Sequence, residues 1–155
     1  MRAGFAVLLA SAMTATVFAS QGPGADVGSR AKGADRVVVA KVTDVHSRFD
    51  VNQWGDQLIV SDVDLDVEET LKGAPKSKVS VTIEGGTVGD ITLDVSDMPS
   101  MKKNDRAVLF LNEEPGGKHL PWGRGNGVMK LDGANNVEES DETLDDVKRK
   151  VKDAR

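Results

Sequence analysis

The chain has no cysteine and no tyrosine, and only two tryptophans and four phenylalanines among its 155 residues. Without thiols it has no disulfide, no thiolate metal site, no thiol nucleophile and no cysteine for lipid attachment. Its stability therefore rests on a packed apolar core, which a chain of this length can supply. Clustered positive charge is also missing: 20 basic residues stand against 25 acidic ones, a formal net charge of −5. Nucleic acid and anionic membrane are disfavoured as partners, because both call for a concentrated basic face. The short basic run at residues 148–152 closes an expected helix, where cations answer the helix dipole.

Long apolar runs are confined to the start. Arg2 supplies a positive beginning, residues 3–18 an apolar stretch shorter than the ~20 residues of a spanning helix, and Val17-Phe18-Ala19 the residues a signal peptidase reads. A signal peptide over residues 1–19 is expected, with cleavage after Ala19. Losing only Arg2 from the 20 basic residues leaves 19 against 25 acidic, a formal charge of −6. Export without a lipid anchor implies a soluble periplasmic or extracellular protein, free of the membrane after cleavage and expected as a monomer. Residues 20–34, rich in glycine and small side chains, read as a flexible lead-in to one domain over residues 35–155.

What is present is strand periodicity. Residues 63–73, VDLDVEETLKG, alternate Val63, Leu65 and Val67 with Asp62, Asp64, Asp66 and Glu68, the pattern of a strand buried on one face. Ala74-Pro75 forbids its continuation. Residues 37–45 form a β-branched first strand whose opening run is apolar on both faces, as suits a strand covered on two sides. Residues 46–57 read as a long polar connection between these two strands, which pair as an antiparallel hairpin.

Val79, Val81 and Ile83 point inward from a strand ending at Gly85-Gly86. Ile91, Leu93 and Val95 line one face of a shorter strand over residues 88–95. Residues 106–111, RAVLFL, read as a central strand, and residues 119–122 and 128–131 as two short final strands flanking GRGNG. A C-terminal helix over residues 140–152 is expected, capped by Ser140, with Leu144, Val147 and Val151 on one side. The fold class is all-β with an accessory C-terminal helix: an OB-like small β-barrel of about six strands.

In this order, residues 34–45 (ADRVVVAKVTDV), the strand into Leu71-Lys72-Gly73, the V-x-V-x-I-x-G-G of residues 79–86, DRAVLFL at residues 105–111 and Gly127-Val128 resemble a group of exported bacterial domains of OB-like barrel shape. More remotely the chain is similar to netrin-like modules, which include the tissue inhibitors of metalloproteases. The resemblance spans about residues 34–131 and implies a fold more than an activity. In those inhibitors an N-terminal cysteine grips the protease zinc; here the expected mature start, Ser20-Gln21-Gly22, has none.

Chemistry is sparse. The ladder Asp62, Asp64, Asp66, Glu68 opens like a calcium loop, but Val67 and Gly73 stand where glycine and glutamate are needed, and a solvated outer face is the preferred reading. His46 and His119 are the only histidines, neither spaced as ligands, and no nucleophile motif surrounds a serine. The stretch Gly123-Arg124-Gly125-Asn126-Gly127 lacks the lysine of a phosphate loop and reads as a tight turn. No cofactor, no metal site and no enzymatic activity is expected.

Phe49, Trp54 and Trp122 are either plugs for the barrel ends or anchors of recognition, plugging being the weightier reading. If a loop does recognise something, residues 49–57 are the choice. The candidate binding residues are Phe49, Trp54, Asp56, Trp122 and Arg124. The expected function is an exported binding module for an unknown protein or polymer partner. A loop-inserting protease inhibitor and a structural component of the envelope or matrix are the alternatives.

Overall fold

A computed structural model describes residues 25–154. The expected signal peptide at 1–19 and the first residues of the lead-in lie outside the described residues. In chain order come helix α1 (Val27–Gly33), strands β1 (Arg36–Val51), β2 (Gln57–Lys72), β3 (Lys78–Glu84), β4 (Gly86–Val88), β5 (Ile91–Leu93), β6 (Arg106–Glu113), β7 (His119–Pro121) and β8 (Val128–Leu131), and helix α2 (Leu144–Asp153). The fold is all-β with a short C-terminal helix, as the alternation of apolar residues predicts.

Six strands form one curled sheet in the order β1-β2-β3-β7-β6-β8, and β1 also pairs with β6. The ladders therefore run from β1 through β2, β3, β7 and β6 back to β1. The one parallel contact is Val81 against His119; the other ladders are antiparallel. One edge of β6 is taken by the first third of β1, and β7 and β8 share the other, at residues 111–113 and 106–109.

Val63 and Leu65 are buried and Val67 half-buried, while Asp64, Asp66 and Glu68 face water. With Val38, Ala40, Val42, Val81 and Leu109 these side chains fill the concave face of the curl. The other face of β1, carrying Val37 and Val39, packs with Phe110, Leu131, Val147 and Val151 into a second core beneath the two helices. Three register shifts in β1, the last between Val42 and Asp44, allow the strand to bend while serving both cores.

Four details differ from the sequence expectation. Residues 27–33 of the expected flexible lead-in form α1: Asp26 accepts the Ser29 N–H at 3.1 Å as N-cap, and Val27 and Ala31 are buried against the second core. β1 runs to Val51, so most of the expected connection is strand and the tip shrinks to residues 52–56. In place of a single strand over residues 88–95, β4 and β5 form a separate hairpin, with Ile91 58 % exposed. Helix α2 begins at Leu144, capped by Thr143 instead of Ser140, because Thr143 and Asp146 exchange a capping box.

Candidate functional site: the distal hairpin arm

Beyond the shift at Val42, β1 outruns its β6 partner, and from Asp44 to Val51 its only ladder partner among the described residues is β2. The two strands thus form an arm with one free edge. Along that edge the Val45 N–H donates to Asp44 Oδ1 at 2.9 Å and the Val51 N–H to Asp50 Oδ1 at 2.8 Å. Period two places the Ser47 and Phe49 amides on the same edge, bracketed by the two carboxylates. Such inward-turned charges discourage pairing with another strand, so recognition falls to side chains.

The arm's two faces differ. Asp44, His46, Arg48 and Asp62 share the wet one, where Arg48 Nε donates to Asp62 at 2.9 Å and Arg48 Nη1 to Asp50 at 2.8 Å. Burial pushes the Asp62 carboxyl up, but hydrogen bonds from Thr82 and Arg48 outweigh it, and the net displacement is below the ordinary aspartate value. The Asp50 carboxyl is also held low, first by the Val51 N–H and then by Arg48.

The other face carries Ser47, Phe49 and Val51 opposite Ser61, Ile59 and Gln57. Phe49 is 43 % exposed and Val51 62 %. At the tip, Asn52 Oδ1 accepts the Trp54 and Asp56 N–H groups at 3.0 and 2.9 Å, and its Nδ2 donates to Asp56 at 3.1 Å. The turn is ordered by its own hydrogen bonds, and Trp54 projects from it 77 % exposed. Three large apolar side chains thus occupy the outer end of a hydrogen-bonded arm.

The structure therefore brings together Phe49, Trp54 and Asp56, and Asp56 acts as a tie within the turn. Trp122 and Arg124 belong to the turn after β7. Trp122 is half-buried against the second core, and a Cβ added to Gly33 would lie 2.3 Å from its Nε1, so the indole rests directly on the end of α1. Arg124, at φ 60° in a 3₁₀ turn, donates to Glu84 at 2.7 Å and Asp97 at 2.5 Å, a clasp that raises its pKa. Its charge is used within the molecule.

Val51 escaped sequence reasoning because its segment reads as polar connection; the alternation Ser47, Phe49, Val51 was the available signal. His46 is exposed beside Asp44 at 3.1 Å. His119 is buried, with Nδ1 3.2 Å from the Ser80 carbonyl and Nε2 3.6 Å from Glu113. The carboxylates of the β2 ladder are engaged separately: Asp62 by Thr82 and Arg48, Asp66 by Lys78, Glu68 by Arg106. Among the described residues no three metal-ligating side chains converge, and no helix is long and apolar enough to cross a membrane. No protein-family model matches the chain, and no curated protein matches it.

Proposed function

We propose that the protein is an exported, non-catalytic binding module that docks a partner protein through the outer end of the β1–β2 arm. One observation carries this reading: Phe49, Val51 and Trp54 stay exposed together on a hydrogen-bonded arm. Lone exposed apolar residues are ordinary, but a row ending in tryptophan on an ordered turn has the character of an interface anchor. The arm also carries Asp44, Asp50, Asp56, Asp62 and Asp64 against Arg48, with Lys118 nearby. Its complement is a protein with an apolar cleft bordered by lysine and arginine. The ladder cycle supports the OB-like and netrin-like resemblance, in which a stable barrel presents variable connections.

A photo-reactive benzoylphenylalanine in place of Trp54 tests this in the cells that make the protein, with the same group in place of exposed Lys103 as control. A discrete cross-linked protein at position 54, absent at 103 and lost when Phe49 and Val51 are both changed to serine, is expected. Equal products at the two positions, or none at 54, overturn the proposal. A protease inhibitor inserting the same tip is a second reading, favoured by the internally tied turn around Asn52. Absence of inhibition of metallo- and serine proteases at micromolar protein removes it.

A further inference from the structure

Away from the arm's tip, the β4–β5 hairpin lies over the concave side of the sheet and borders a half-open cavity of about 360 Å³. Its apolar lining includes Val45 and Ile83 from the sheet, Leu93 from β5, and Val95, Met98 and Met101 from the segment that follows. Ser47 and Ser61 also border it, at the point where Gly86 passes over them. A Cβ on Gly86 would lie 2.4 Å from Ser47 Oγ and 2.3 Å from Ser61 Oγ, and its φ of +132° disfavours any other residue.

The two hydroxyls form a chain of fixed direction. Ser61 Oγ lies 2.7 Å from the Gly85 carbonyl oxygen, which only accepts, so the Ser61 proton is committed there. In the 2.9 Å contact between the two serines, Ser47 must then be the donor. Ser47 Oγ has thereby spent its proton and keeps free lone pairs at the cavity wall. Two methionines give that wall an adaptable surface, and the charges at its border, Glu84 and Asp94 against Lys102 with Glu84 already paired to Arg124, favour neither sign of ligand. The volume falls within the range of small-molecule sites.

We infer that this cavity is a binding site for a small, mainly apolar, neutral molecule bearing one hydroxyl or amide N–H, which donates to Ser47 Oγ. The site is separate from the Trp54 surface and stands whether or not the arm docks a partner. 2-Phenylethanol is the probe, and its methyl ether, one methyl group larger and without a donor, is the control.

Titration followed by the methyl resonances of Met98 and Met101 is expected to give saturable shifts with the alcohol and binding about tenfold weaker with the ether. Ser47→Ala should lower alcohol affinity to that of the ether while leaving the ether unchanged. Val95→Trp, if its melting transition is retained, should abolish binding of both. Absence of saturable shifts with the alcohol, equal affinities in the native protein, or an alcohol preference that survives Ser47→Ala would each overturn the inference.

Discussion

Trp54 and Trp122 share a side chain and a following glycine, yet one stands in water and the other rests on Gly33. Sequence alone does not separate them, because the partner that covers Trp122 lies far back in the chain, in a helix of only seven residues. With two tryptophans present, fluorescence reads each in turn. The Trp122→Phe variant should emit as solvated indole and be freely quenched by acrylamide, whereas Trp54→Phe should leave a blue-shifted, protected emission. Stability should divide the same way: Trp122→Ala is expected to cost about 3 kcal/mol in denaturant unfolding, and Trp54→Ala less than about 0.5 kcal/mol. Similar quenching of the two indoles would contradict the arrangement.

The long elements were the most legible. Val63 and Leu65 alternate with carboxylates that stay wet, and the doubly apolar start of β1 does serve two cores. Short elements were not, because tertiary contact and not propensity holds them. Helix α1 offers only Val27 and Ala31 as an apolar pair, and β4 and β5 have three residues each. The outer part of β1 was hidden for a different reason: one of its faces is solvated and charged, so its composition resembles a connection.

Helix α2 shifted from its expected start because Thr143 and Asp146 satisfy each other. The Thr143 side chain and N–H, with Arg149, bring the Asp146 pKa from the ordinary 3.8 to about 2. A carboxyl lowered on folding stabilises the helix fully above its unfolded value and loses that contribution as pH falls through the folded one. Helical circular dichroism at submaximal denaturant should therefore weaken between about pH 4 and pH 2, and Thr143→Ala should cost about 1 kcal/mol at neutral pH and flatten the acid response. An unchanged acid response in Thr143→Ala would contradict the capping assignment.

Taken whole, the molecule is a curled sheet with one core inside the curl and another beneath two helices, and the outer end of the hairpin arm, around Phe49, Val51 and Trp54, continues β1 and β2 beyond both. That arm carries mostly negative charge on a chain that is negative overall. Association with a basic-bordered partner should therefore slow as salt is raised from roughly 0.05 M to 0.5 M, while dissociation, governed by the buried aromatic contact, changes little. A salt-insensitive association rate would leave the apolar row without its electrostatic guide.

The protein trapped by the photo-reactive group at position 54 supplies the decisive titration. Its affinity for the native chain and for Trp54→Ala is to be measured by calorimetry beside the melting temperatures of both. The expected result is binding weakened at least about tenfold, roughly 1.4 kcal/mol, with a melting temperature lowered by no more than about 2 °C. Undiminished affinity, or a fall of many degrees in melting temperature showing that Trp54 belongs to the folded core, would contradict the assignment of the arm as the binding element.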